Sequence, residues 1–314
     1  MNSPNRILAY LPVEDESLKS VKQAAWLARA HGASITVLRV LDGGVRFNLW
    51  KPRKNDPEHA ELRGLIEDAL REEIESQVTS FRTEGLDIRV EVRWGTPWLE
   101  VTHSVLRNGY DLVIKAASGA DTKRRPFIGS TALHLIRKCP CPVWIVGDVW
   151  EGADGRMLAA VDPTDEGARP AHAQEILNWG LLLAGEGGEL HAASAWRASG
   201  ETLLRGRVRP DELDYYVRSL EKDAQSGLDN ILASVGNPLK PERVHLLKGH
   251  PREVLSDFVE QKEFNLVVLG SIGRVGVAGL LIGETAETFI RSVRASVFAV
   301  KPPGFVSPVQ LPED

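Results

Sequence analysis

A chain of 314 residues, 43% hydrophobic and 26% charged, has room for two domains of ordinary size, each with its own core. Its formal net charge of -5 argues against nucleic acid and anionic membranes as partners, because either would select a basic surface. Apolar runs such as Leu181 to Ala184 are far too short to span a bilayer, and MNSPNRILAYLP enters a strand without a signal-peptide pattern, so the expected compartment is the cytoplasm.

Arg6 to Leu11 reads as a first strand, followed by a helix on which Leu18, Val21, Ala25 and Ala28 recur at helical spacing up to Gly32. Ser34 to Leu41 is strand two, Asp42 to Pro57 a surface loop, and Leu62 to Val78 the apolar stripe of a long helix with a Glu-rich solvated face. Ile88 to Arg93 is strand three. The turn Gly95-Thr96-Pro97 leads into a helix over Trp98 to Arg107, and strands four and five are Leu112 to Ala116 and Val143 to Val146. The only cysteines, Cys139 and Cys141, are expected to alternate along a strand and point to opposite faces. That predicts two reduced thiols and neither a disulfide nor a metal site.

The polar, glycine-rich stretch Gly147 to Gly155 marks a boundary between domains spanning 1–149 and 155–305. Arg156 to Val161 is strand one of the second domain, ending at Asp162-Pro163. Ala173, Ile176, Leu177, Gly180, Leu181 and Ala184 then form a helical stripe stopped by Gly185. Leu190 to Ala195 is strand two, Ala198 to Pro210 a loop, Leu213 to Ile231 a long helix and Arg243 to Leu247 strand three. His191 and His245 fall on neighbouring strands; they read as sheet residues, because a metal pair would lack a third ligand in register. Leu266 to Leu269 is a buried strand that stops at Gly270, and a helical pattern resumes at Thr285, shortly after Gly283.

One constant shift lays Gly273 on Gly119, Gly283 on Gly129, Thr285 on Thr131, Arg291 on Arg137, and Gly249-His250-Pro251 on Gly95-Thr96-Pro97. The chain is a tandem duplication. Strands alternating with helices imply parallel pairing and right-handed crossovers. The expected fold class is therefore α/β, with two tandem doubly wound, Rossmann-like domains. Each has a five-stranded parallel sheet of order 3-2-1-4-5 and a ligand crevice beyond the carboxyl ends of strands one and four. The glycines lie there. Without a Cβ they let backbone N–H groups approach an anion at a helix N-terminus, a shape that suits phosphate.

Strand-end Asp162, the Gly-x-Pro turns and the spacing of Gly270, Gly273 and Gly283 resemble the universal stress protein family, and RKCPCPVW and VVLGSIGRVGVAGLLIGETAE look like its tandem bacterial members of type E. The resemblance implies an adenine nucleotide alpha hydrolase-like version of the fold and a cytoplasmic stress-response role. It also implies an intramolecular pseudo-dimer paired through the last strands, with a further homodimer left open. Some members of the family bind ATP, with a strand-one aspartate on the adenine side and a Gly, two residues, Gly, nine residues, Gly, Ser or Thr signature on the ribose and phosphates. The matching positions in the second domain are Asp162, Pro163, Leu269, Gly270, Gly273, Gly283, Glu284 and Thr285, and in the first Gly119, Gly129, Ser130 and Thr131.

Each copy departs from that signature differently. The second has Glu284 where Ser or Thr is expected. The first has Ala116 in place of the opening glycine and Leu11-Pro12 in place of the aspartate. A carboxylate about 5 Å from one phosphate charge costs roughly 3 kcal/mol at an effective dielectric of about 20, near two decades in affinity. The same residue in a helix's first turn gains about 0.3–1 kcal/mol from the dipole. Two readings of Glu284 therefore stand: an acid that closes an anion site, or one turned to solvent beside a working site. No Walker lysine loop, kinase catalytic loop or Gly-x-Ser-x-Gly elbow is present, so a binding module is expected in preference to an enzyme. The ligand expected in the second domain is a small molecule, ATP being the cofactor that the resemblance implies. A scaffold that recruits a protein partner without nucleotide, and a slow ATPase, are the alternatives.

Overall fold

Apolar runs of four to eight residues form the strands, and the amphipathic stretches between them form the helices. The computed structural model describes residues 3–13, 15, 17–42, 57–117, 128–147, 155–162, 169–185, 187–236, 239–271 and 284–312. In the first half the order is β1 (Arg6–Tyr10), α1 (Lys19–His31), β2 (Ser34–Leu41), α2 (Pro57–Thr83), β3 (Ile88–Trp94), α3 (Pro97–Asn108), β4 (Leu112–Ala116), α4 (Ser130–Lys138) and β5 (Val143–Val146). The second half runs β6 (Arg156–Ala160), α5 (Arg169–Ala184), β7 (Glu189–Trp196), α6 (Glu201–Leu204), α7 (Pro210–Ser234), β8 (Val244–Lys248), α8 (Pro251–Gln261), β9 (Leu266–Gly270), α9 (Glu284–Ser292) and β10 (Ser296–Val300).

β1 pairs in parallel with β2 and β4, β2 also with β3, and β4 also with β5, which is the order 3-2-1-4-5. β6, β7, β8, β9 and β10 repeat that order. Each half is thus a doubly wound α/β sheet. β1, β4, β9 and β10 are buried almost end to end, as strands covered by helices on both faces must be, whereas the edge strands β3 and β8 are only partly covered. The chain divides into two compact units, one of Met1–Thr122, Phe127–Glu151 and Val306–Asp314, the other of Lys123–Pro126 and Gly152–Phe305. The C-terminal segment belongs to unit 1, where the Ser307 hydroxyl donates to the Lys138 carbonyl at 2.7 Å and the His103 Nε2–H to the Gln310 carbonyl at 3.2 Å.

The duplication recurs in side-chain detail. The residue before the fourth strand pins the start of the first: an Asp111 carboxylate oxygen accepts the N–H groups of Asn5 and Arg6 at 2.7 and 2.9 Å, and Asn265 Oδ1 accepts that of Arg156 at 2.9 Å. An aromatic pair joins the first helix to the fifth strand in both units, Trp26 with Trp144 edge-on at 6.4 Å and Trp179 with Phe298 at 4.8 Å. Gly95 and Gly249 both have φ of 148°, and a Cβ at Gly95 would meet Glu100 Cγ at 2.7 Å. Only glycine fits that turn.

Two expectations change. The stretch Ala198 to Pro210 contains the short helix α6, whose Glu201 is paired with Lys248 of β8 at 2.9 Å. The second change concerns Cys139 and Cys141, which do not point to opposite faces: their sulfurs are 3.6 Å apart and both residues are buried. Strand alternation does not apply to them, because β5 begins only at Val143. Cys139 ends α4, with its N–H on the Leu135 carbonyl at 2.9 Å, and Pro140 follows. Of the expected loop Asp42 to Pro57, positions 43–56 lie outside the described residues.

Candidate functional site

In unit 2 the central strands β6 and β9 are paired with Ala160 opposite Leu269. The residues just beyond, Val161 and Asp162 on one strand and Gly270 and Ser271 on the other, therefore stand side by side at the carboxyl edge. That edge is the topological switch point of a doubly wound sheet, where such folds bind their ligands. Asp162 is exposed and Leu269 is buried in the core beneath it. Glu284 and Thr285 open α9, with side chains outside the described residues. Pro163, Gly273 and Gly283 lie outside them too, as do the loop positions 272–283.

The edge also holds two residues that the sequence did not single out. His172 stands one turn into α5 and is only 9% exposed. Its Nε2–H donates to the Val300 carbonyl at 3.1 Å, and the same carbonyl accepts the Ser271 N–H at 2.9 Å. The imidazole lies against Gly270 so closely that a Cβ there would be 2.5 Å from Cε1. Gly270 is thus required by packing inside the protein, whatever a ligand asks of it. Ser271 is fully buried, and among the described residues its hydroxyl has no hydrogen-bond partner. A buried hydroxyl left so costs about 1–3 kcal/mol, which a ligand atom or a water at this edge would offset. The donor chemistry at the edge therefore fits a polar ligand.

Unit 1 solves the same problem differently. Counted back from the helix-ending glycines Gly32 and Gly185, Lys19 occupies the place of His172, and its Nζ donates to the Gly147 carbonyl at 2.8 Å. A lysine ammonium holds a carbonyl there, where unit 2 uses an imidazole. Ala116 stands at the end of β4, and the buried Lys115 ammonium donates to its carbonyl at 2.7 Å. Gly129 precedes α4 in extended conformation, and Ser130 and Thr131 begin the helix with no side-chain cap. Gly119 and the Lys123, Arg124, Arg125 run lie outside the described residues. The internal repeat was the signal that could have found His172, since Lys19 and His172 precede matching glycines by thirteen residues.

At the opposite end of the unit 2 sheet, His191 and His245 meet. His191 Nε2–H donates to a Glu189 carboxylate oxygen at 2.7 Å, and His191 Nδ1 and His245 Nε2 lie within hydrogen-bond distance at 2.8 Å. The rings are nearly coplanar in direction, 11° apart with centroids at 5.1 Å, and Phe258 and Phe264 pack against them. The described residues contain no group of three or more side chains placed to hold a metal ion. Burial holds His245 below the ordinary imidazole pKa, helped by His191 and Lys262, and the hydrogen bond from His191 holds Glu189 below the usual carboxylate range. A depressed His245 pKa means that the folded state prefers the neutral ring. Its contribution is present above the unfolded value of 6.5 and is lost as pH falls through the folded one. Thermal unfolding of unit 2 is accordingly expected at a lower temperature near pH 5 than near pH 7, and His245→Phe should shrink that difference in calorimetry.

The universal stress protein family model matches the chain twice, over residues 5–147 and 155–301. Among named relatives, universal stress protein E of Escherichia coli (strain K12) is 29% identical over 249 residues, covering 77% of each chain. Universal stress protein E of Photorhabdus laumondii is 22% identical over 327 residues, covering 100% of this chain and 99% of its own. A solved universal stress protein from Archaeoglobus fulgidus DSM 4304 superposes with a TM-score of 0.62 over 95% of this chain and 96% of its own, at 18% identity, a likeness of fold. No described helix is long and apolar enough to cross a membrane. Two family matches that together cover most of the chain, on two copies of one doubly wound sheet, place this protein in the universal stress protein family.

Proposed function

We propose that the protein is a stress-response binding module of the cytoplasm whose ligand site is the carboxyl edge of unit 2, and that an adenine nucleotide is the ligand class the edge suits. One observation carries this reading: the β6–β9 register sets the exposed Asp162 beside Gly270 and the buried Ser271 hydroxyl at the switch point. Asp162 offers a carboxylate to an adenine or ribose donor, Ser271 a hydroxyl, and the start of α9 a helix N-terminus for phosphate. Glu284 sets the strength of binding. Among the described residues of the edge none is arranged to position a nucleophile, and the proposal is of a ligand that is held and not turned over.

Native mass spectrometry followed by ATP titration tests this. Asp162→Ala is expected to weaken ATP by about tenfold, the loss of one charge-assisted hydrogen bond of about 1.5 kcal/mol. Phosphate release from the wild type should equal that of protein-free ATP. If neither the wild type nor Glu284→Ser takes up nucleotide, the adenine reading fails.

A further inference from the structure

Cys139 and Cys141 are separated by one residue, Pro140, at a junction that is neither helix nor strand. Their sulfurs face each other at 3.6 Å, with Cys139 fully buried and Cys141 8% exposed. We propose that this Cys-Pro-Cys segment of unit 1 is an oxidisable dithiol, a modification site that closes a reversible intrachain disulfide when it meets a low-molecular-weight disulfide. A disulfide draws two sulfurs to about 2.0 Å, so the pair must close by about 1.6 Å.

The chemistry runs in two steps. Cys141, which keeps an exposed edge, loses its proton to water, and its thiolate attacks one sulfur of the disulfide RSSR. A mixed disulfide forms and RS⁻ leaves. Cys139 then loses its proton, attacks the Cys141 sulfur from inside, forms the Cys139–Cys141 bond and expels the second RS⁻. Two cysteine thiols are oxidised while one RSSR is reduced to two RSH. The loop closed contains only Pro140, so the constraint on the unfolded chain is at the small end, and the bond acts as a chemical mark more than as a staple.

Oxidised glutathione is the probe, applied to the full chain under native conditions, with intact mass and alkylation mapping as readouts and far-ultraviolet circular dichroism as the check on folding. The expected product has lost two hydrogens, carries its block to alkylation on the Cys139–Cys141 peptide, and reverts with dithiothreitol. Cys139→Ser should stop at a glutathione adduct on Cys141, and Cys141→Ser should react about tenfold more slowly. The proposal is overturned if both thiols of the folded wild type stay open to alkylation, if the bond forms only in denaturant that unfolds the chain, or if a glutathione adduct persists on the wild type. The wild-type mass decides the matter even where a serine variant fails to fold.

Discussion

Glu284→Ser is expected to raise the affinity of unit 2 for ATP by about two to three decades in isothermal titration. The estimate is electrostatic: one carboxylate about 5 Å from one phosphate charge, at an effective dielectric of about 20, opposes binding by roughly 3 kcal/mol. The hydroxyl gained by the substitution adds only about 1 kcal/mol, so repulsion is the larger effect. Glu284→Gln separates the two, because it removes the charge and keeps the length. It should recover most of the gain, and the difference from wild type should shrink at high salt. Glu284 opens α9, where a negative charge answers the helix dipole, so both variants should lose about 0.3–1 kcal/mol of stability without ligand. Equal ATP affinities for wild type and Glu284→Gln would show a carboxylate turned away from the phosphates, and the expected gain would fall.

Gly270→Ala should destabilise unit 2 by about 1–3 kcal/mol, the range for adding a methyl to a packed interior. The methyl would sit 2.5 Å from His172 Cε1, and His172 cannot simply swing away, because its Nε2–H is held by the Val300 carbonyl. His172→Ala removes that obstacle. It also removes a hydrogen bond worth about 0.5–1.5 kcal/mol, although Val300 keeps the Ser271 N–H. The double variant should therefore be less destabilised than the sum of the two, with a coupling of about 1–2 kcal/mol. Hydrogen exchange of the β9 and β10 amides measures this within unit 2 of the full chain. Strictly additive effects would overturn the assignment of Gly270 to packing. The same variants separate packing from ligand approach: if ATP affinity falls in Gly270→Ala and is restored in the double variant, His172 alone stands between the methyl and its tolerance.

Much of this was legible in the residues. The duplication and the strand order follow from local patterns: apolar runs of strand length, helical stripes ending at Gly32 and Gly185, and glycines at matching offsets. Such signals survive without knowledge of the fold because each reflects a short-range rule of backbone geometry. Asp162 and Gly270 could be set at one edge for the same reason, since parallel strands joined by right-handed crossovers align their carboxyl ends. Contacts between residues distant in sequence were not legible. His172 and Gly270 lie far apart along the chain, and their contact depends on how α5 packs over β9. His191 and His245 were assigned to neighbouring strands, but the 2.8 Å hydrogen bond between them depends on register and rotamer, which two alternating patterns do not specify. Cys139 and Cys141 escape the period of two because they lie between the end of α4 and the start of β5, around Pro140. Local periodicity thus decides which elements exist and in what order, while the packing of helices on the sheet decides which side chains touch, because it depends on shapes and distances that only the folded chain brings together.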